Sequence, residues 1–266
     1  MNIDKKYYQE INENLTNTIQ DTNISAPNKK VGKVRDAYFL NDKVVMISTD
    51  RQSAFDRVLA AIPYKGAVLN SVSAWWFKKT EHLFPNHLIS TPDPNVSIVE
   101  KCTVFPVEFV VRGYITGTTD TSLWTVYNNG DREYCGNSLP EGLKKNDKLD
   151  KPMLTPTTKD KVHDRPVSRE EIIDLGLMSA EDYDLAAKMS LDLFAFGQET
   201  AKKNGLILVD TKYEIGTDSK GKIKFVDEIH TPDSSRFWIS SSYKDRINSG
   251  QELSLIHISE PTRLRR

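Results

Sequence analysis

The sequence predicts a fold that combines α-helices with antiparallel β-hairpins, and three observations lead there. GKVRDAYFL (32–40) and KVVMIST (43–49) are rich in strand-forming residues and are separated by Asn41-Asp42, the two-residue spacing of a hairpin. Ser168 with Glu171 makes a capping-box pattern, and Ser179 with Asp182 opens a second helix that stops at Asn204-Gly205 after Lys202 and Lys203. LILVDTKYEIG (206–216) then reads as a strand that turns through TDSKG (217–221) and returns as KIKFVDEIHTPDSSRFW (222–238).

The remaining elements fall between these. Residues 4–20 read as a polar N-terminal helix. GAVLNSVSAWWFKKTEHL (66–83) carries Val68, Val72, Trp75, Trp76 and Leu83 near helical spacing. A connection with Pro and Ser (91–97) leads into the apolar strand TVFPVEFVVRGYITG (103–117). Residues 128–167, rich in Gly, Asn, Asp, Lys and Pro, read as a long irregular excursion of the kind that usually serves function or motion.

Composition narrows the functional classes. The 266 residues suffice for one large or two modest domains. With 36 Lys plus Arg against 37 Asp plus Glu there is no overall basic footprint for nucleic acid. Cys102 and Cys135 lie far apart and outside any CxxC pattern, which indicates neither a disulfide framework nor a structural zinc site. No apolar run reaches membrane-spanning length, and MNIDKKYYQE lacks the apolar core of a signal peptide, so a soluble cytoplasmic protein is expected. The segment LSLIHISEPTR (253–263) resembles the translation of a sequencing-library adapter. Residues 253–266 are therefore expected to be a foreign tail on a chain truncated near Glu252.

Charge on the strands is the chemical signal. Asp210, Lys212 and Glu214 are two apart and share one strand face, with Val209, Thr211, Tyr213 and Ile215 on the other. A solvated amphipathic strand would look the same. Magnesium, however, takes hard oxygen ligands, typically one or two carboxylates with phosphate oxygens. Glu214 and Asp227 could supply them, with Lys212 as a point charge for phosphate. Simple pairing aligns Ile223 and Phe225 with Tyr213 and Ile215 and sends Asp227 to the far side, so a bulge or a strand end is required there. Beyond Asp227, the hydroxyls and Arg236 of DEIHTPDSSRFW suit an anion, whereas His230 reads as a packing or turn residue. Lys33 and Arg35 follow Gly32 two apart, on one face of a strand that could close over a triphosphate. Glu108 and Arg112 interrupt an apolar strand, which implies either a site or a structural ion pair. STDRQSAFDRVL (48–59) and TPTTKDKVHDRP (155–166) are polar islands compatible with turn chemistry alone.

Together these segments resemble the phosphoribosylaminoimidazole-succinocarboxamide synthase (SAICAR synthetase) family, in order and over about residues 30–250. The resemblance rests on GKVRD (32–36), TDRQSAFD (49–56), KGAVLN (65–70), FPVEFVVRGYITGT (105–118), TPTTK (155–159), HD (163–164), LVDTKYEIG (208–216) and DEIHTPDSSRFW (227–238). Ile215 replaces the family's usual Phe and Thr118 its usual Ser. The resemblance implies an α+β fold in two lobes: a kinase-like, β-rich nucleotide lobe (1–102) and an ATP-grasp-like catalytic lobe (103–252).

It also implies an ATP-dependent ligation of carboxyaminoimidazole ribonucleotide (CAIR) with L-aspartate to SAICAR, through an acyl phosphate, with magnesium. By matching positions, Lys33, Arg35, Glu108 and Lys159 would bind ATP. Glu214 and Asp227 would hold the metal and act in catalysis with Lys212. Arg112, Thr118, Ser235 and Arg236 would take CAIR, and His163 and Asp164 aspartate or nucleotide. The expected partners are small molecules only, without nucleic acid or membrane, and nothing in the sequence points to a particular oligomeric state. A small-molecule kinase on a related scaffold would use the same magnesium–ATP residues, and aspartate-dependent ADP release separates the two.

Overall fold

A computed structural model describes residues 5–54, 57–159, 165–251 and 253. The expected site residues His163 and Asp164, and all of the expected tail except Leu253, lie outside the described residues. The chain forms two compact units, one within residues 1–79 and 87–101, the other within 80–86 and 102–257.

In the first unit a short helix α1 (Lys5–Glu13) precedes β1 (Lys29–Val31), β2 (Arg35–Phe39) and β3 (Lys43–Ser48). β4 (Arg51–Ala54) and β5 (Arg57–Ala61) form a separate hairpin, followed by α2 (Lys65–Thr80), β6 (Leu88–Asp93) and β7 (Val96–Glu100). The main sheet is antiparallel in the order β1-β2-β3-β7-β6. The expected hairpin is β2–β3, closed where the Leu40 N–H donates to the Lys43 carbonyl at 2.9 Å. Helix α2 buries a different stripe from the expected one. Leu69, Ser73, Trp76, Phe77 and Thr80 turn inward, while Val68 and Trp75 are half exposed and Leu83 lies past the helix. The run is apolar on both sides, so hydropathy alone does not choose. Hydrogen bonding does: Asn70, also buried, donates to the Pro94 carbonyl and accepts from Ser97 Oγ, at 2.9 and 2.7 Å.

The second unit is built on two 12-residue strands, β8 (Thr103–Tyr114) and β13 (Leu206–Thr217), paired antiparallel. Between them come α3 (Leu123–Asn128), the hairpin β9 (Glu133–Tyr134) and β10 (Asn137–Ser138), β11 (Lys148–Leu154), β12 (Thr157–Thr158), α4 (Arg169–Asp174) and α5 (Ala180–Lys203). β14 (Ile223–Val226), β15 (Ser235–Ile239) and α6 (Ser240–Asn248) follow β13. The sheet runs β11-β8-β13-β14, with β12 also on β8 and β15 also on β13. The stretch expected to be irregular thus supplies two strands to the sheet. KLDKPML hides its strand because Pro152 and alternating charge read as turn, and both are tolerated where pairing is one-sided and bulged. One sheet face carries Val107, Phe109, Val111, Thr211, Tyr213 and Ile215, all buried. Helix α5 shows them Tyr183, Ala186, Leu193 and Phe194, and the Phe109 and Tyr183 rings lie 5.6 Å apart.

The start of α2 comes close to the backbone at the end of β3. The Gly66 N–H donates to Asp50 Oδ1 at 2.9 Å, and a Cβ there would lie 2.2 Å from the Ser48 carbonyl oxygen. Gly66→Ala is expected to destabilise the protein by about 3 kcal/mol or more, read as a lowered urea midpoint.

Candidate functional site

The charged face of the second unit's sheet is made by register. β13 pairs with β8 so that Asp210 stands opposite Arg112, Lys212 opposite Val110 and Glu214 opposite Glu108. On its other edge β13 pairs Leu208 with Phe237 but Asp210 with Arg236, which leaves Val209 as an extra, bulged residue. In regular pairing without the bulge Arg236 would stand opposite Val209, and it could not share a face with Asp210. The bulge also corrects the expected position of Val209. It packs with Tyr114 and Trp238, on the face of Arg112, instead of sharing the face of Thr211.

Asp210 is the hub of the first group. Arg236 approaches it side-on, with Nε donating to Oδ1 at 2.7 Å and a second nitrogen to Oδ2. Arg112 lies 3.6 Å from Oδ2 and donates from Nε to Thr155 Oγ1 at 2.9 Å. Burial pulls the Arg112 guanidinium below its ordinary pKa, and the Asp210 carboxylate opposes this. Sequence reasoning found both arginines but missed Asp210 and Thr155 as their holders. The available signal was an acid two residues from Lys212, on a strand facing a lone Arg.

Lys212 Nζ binds Glu108 Oε1 at 2.8 Å, and Lys159 Nζ is ion-paired to Glu214 Oε2. Glu108 and Glu214 are direct cross-strand neighbours, an unfavourable like-charge pair unless each has its own cation. For Lys212, burial favours the neutral amine, but the Glu108 carboxylate outweighs it and raises the pKa above its ordinary value. Burial, and then the charge of Asp227, raise the Glu214 carboxyl above its ordinary range. Asp227 lies just past β14 with φ 62°, so the strand-end solution to its parity problem is the one adopted. A buried carboxylate raised by a second carboxylate is a pair of hard oxygen donors close together, and it fits a hard divalent cation. Among the described residues no cluster of three or more His, Cys, Asp or Glu is present, so such an ion would complete its shell with phosphate oxygens and water.

The other expected residues are placed differently. Ser235 pairs with Thr211, and the two hydroxyls meet at 2.7 Å on the buried face, away from Arg236. The expectation that Ser235 joins Arg236 fails because neighbouring strand residues point to opposite faces. Thr118 is exposed beyond β8, outside the hydrogen-bonded set of Arg112, Asp210, Arg236 and Thr155.

In the first unit Lys33 lies in the turn between β1 and β2, so it does not share a strand face with Arg35 as its spacing suggested. That turn is held by Arg51, which sequence reasoning left in a polar island. Its guanidinium donates to the carbonyls of Gly32 and Lys33, both at 3.0 Å, to that of Gln20 at 2.6 Å, and to fully buried Asp36 at 2.7 Å.

Comparisons with known proteins agree on one assignment. A family model described as SAICAR synthetase matches residues 28–253. A phosphoribosylaminoimidazole-succinocarboxamide synthase of Legionella pneumophila is 57% identical over 234 residues, covering 88% of this chain and 75% of that protein. A chloroplastic protein of the same name from Arabidopsis thaliana is 57% identical over 247 residues, covering 91% of this chain and 60% of its own length. Among solved structures, a SAICAR synthase from Saccharomyces cerevisiae complexed with SAICAR superposes with a TM-score of 0.74 at 30% identity, covering 91% of each chain. A SAICAR synthetase in complex with ADP gives 0.69 at 27% identity, covering 83% of this chain and 90% of that one.

Two outcomes follow from the geometry. Asp210→Asn leaves two arginines without their shared carboxylate and is expected to cost about 3 kcal/mol in urea unfolding. His230 is buried, and burial alone lowers its pKa from 6.5 to about 3. Unfolding therefore takes up a proton between those values. Stability is complete above about pH 6.5 and falls as the pH drops from there toward 3, a slope that His230→Gln should lose.

Proposed function

The chain belongs to the SAICAR synthetase family, and from that premise we propose how its residues share the work of an ATP-dependent ligation. The enzyme is a phosphoribosylaminoimidazole-succinocarboxamide synthase of purine biosynthesis, joining CAIR and L-aspartate at the expense of ATP. The observation that carries the residue assignment is the line of paired charges along β13. It offers an arginine pair at one end and the neighbouring carboxylates of Glu214 and Asp227 at the other.

A carboxylate is a poor acyl donor. In the proposed course a CAIR carboxylate oxygen attacks the ATP γ-phosphorus and ADP leaves. The aspartate amine then attacks the acyl phosphate carbon, and inorganic phosphate departs as the nitrogen loses a proton. The protein's contribution is positioning and charge neutralisation. Arg112 and Arg236 bind the ribonucleotide's anionic group, held by Asp210 and Thr155. Ser235 fastens β15 to β13 through the Thr211 hydroxyl, and Thr118 offers a hydroxyl from its exposed loop. Lys212 and Lys159 neutralise the transferring phosphoryl, while Glu108 keeps Lys212 in place and borders the nucleotide. Glu214 and Asp227 would hold magnesium, which supplies charge stabilisation to the phosphates. Lys33 and Arg35 remain proposed for ATP; they belong to the first unit, the proposed nucleotide lobe (1–102). The proposed catalytic lobe is residues 103–252, and His163 and Asp164 remain proposed for aspartate or nucleotide. The proposed setting is cytoplasmic, with small molecules as the only partners. Among the described residues no helix is long and apolar enough to cross a membrane.

ADP release measured with ATP, magnesium and CAIR should require L-aspartate, and release without it would favour a kinase. Glu214→Gln should lower turnover roughly 100-fold and blunt the magnesium dependence. Arg236→Ala should raise the KM for CAIR and leave that for ATP unchanged; the opposite split would misplace Arg236.

A further inference from the structure

Three features of the second unit are left over by this division of labour, and they meet at one point behind the charged face. Tyr213 lies between Lys212 and Glu214 in sequence, so its side chain points to the opposite, buried face, where it is fully enclosed. His230, three residues after Asp227, is also buried and holds a left-handed backbone with φ 53°. Gly197 interrupts the middle of α5, where glycine costs about 1 kcal/mol relative to alanine. The structure joins all three. Tyr213 Oη and His230 Nε2 are 2.5 Å apart, and a Cβ on Gly197 would lie 2.4 Å from His230 Cε1.

We infer that the Tyr213–His230 hydrogen bond is a positioning device that fixes Asp227 against Glu214 from behind the sheet. The inference rests on the reading of that carboxylate pair as the metal-holding pair. Residues 227–234, which join β14 to β15, are mostly buried, and such a connection must be tied down by its own polar groups. Its far end is secured on the charged face, where Arg236 grips Asp210. Its near end begins at Asp227, whose left-handed φ of 62° releases it from the β14 ladder. Thr231 Oγ1 donates to Glu228 Oε2 at 2.7 Å, which ties the loop to itself. Near its far end the loop meets β13 where the Lys212 N–H donates to the Ser234 carbonyl at 3.0 Å. The imidazole adds a side-chain link three residues from Asp227, and it reaches the residue flanked by Lys212 and Glu214. Gly197 leaves the ring the room to do so. A mid-helix glycine, a histidine in left-handed backbone and a tyrosine hydroxyl in an apolar core thus have one common cause.

The test reads metal affinity as well as rate. Mn2+ binding in the presence of ADP, followed by electron paramagnetic resonance, and the magnesium activation constant for turnover are measured for the whole chain and its variants. Tyr213→Phe is expected to weaken both about tenfold, with the KM for L-aspartate unchanged. Gly197→Ala, which displaces the ring from the helix side, should act in the same direction. His230→Gln keeps a neutral group able to meet the hydroxyl and should stay within about threefold of the parent. A lowered melting temperature in Tyr213→Phe with unaltered Mn2+ affinity and magnesium activation would mean a structural bond only and overturn the inference. Unaltered Mn2+ affinity in Glu214→Gln would overturn the metal reading itself. Loss in Glu214→Gln without loss in Tyr213→Phe and Gly197→Ala would sink the positioning role alone.

Discussion

The charged half of the sheet depends on a register constraint, the single extra residue at Val209. Side chains on a strand alternate, so a one-residue shift exchanges the two faces. Because Val209 is inserted, Leu208 and Phe237 pair toward α5, while Asp210 and Arg236 pair toward the site. The carboxylate of Asp210 then stands between two guanidinium groups, one from each neighbouring strand. Neither arginine could be buried here alone, since an unpaired charge in a dry setting costs several kcal/mol. Lys212 with Glu108 and Glu214 with Lys159 extend the same rule along the strand, each charge meeting its counterpart at a neighbouring register position.

Much of this was legible in the sequence because it is local. Caps at Ser168 and Ser179, the Asn41-Asp42 turn and the alternation of β13 from Asp210 to Ile215 depend on neighbours a few residues away, and each appears as read. What escaped was non-local. Ser235 and Arg236 look alike as polar residues near an anion site, yet pairing with β13 sends them to opposite faces. Val209 looked like the next residue of an alternating run because nothing in LILVDTKYEIG announces a bulge. Arg35 kept its place in the expected hairpin, but Lys33 fell in the turn before it once β1 formed upstream. The stripe of α2 was misjudged because buried Asn70 and Ser73 are polar, and their place is settled by residues distant in sequence. Asp210 and Arg51 went unassigned for the same reason: their partners lie tens of residues away.

The two units solve one problem in parallel ways. In the first, Asp36 is fully buried against Arg51, and the remaining donors of that guanidinium fasten backbone carbonyls of the turn carrying Lys33. In the second, Asp210 is buried against Arg112 and Arg236, and Arg112 uses its Nε on Thr155. In both, one buried carboxylate immobilises a planar cation, whose fork geometry then orients a neighbouring segment. A flexible lysine in either arginine position would keep the charge and lose the direction.

The sheet face that bears these charges is not polar from end to end. Past Arg112 it becomes Tyr114, Val209 and Trp238, roofed by Tyr243 and Ile247 of α6. The Tyr243 ring stacks on Trp238 at 5.6 Å, and its hydroxyl donates to the Asn146 carbonyl at 2.9 Å. This apolar cap lies two residues along the strands from Arg112 and Arg236, and apolar cover beside a charge keeps solvent from it. Attraction between charges strengthens as solvent is shut out. Helix α6 therefore works as insulation for the arginine end of the sheet, the end proposed to take an anion, and loosening it would weaken that proposed contact with every charged residue still in place.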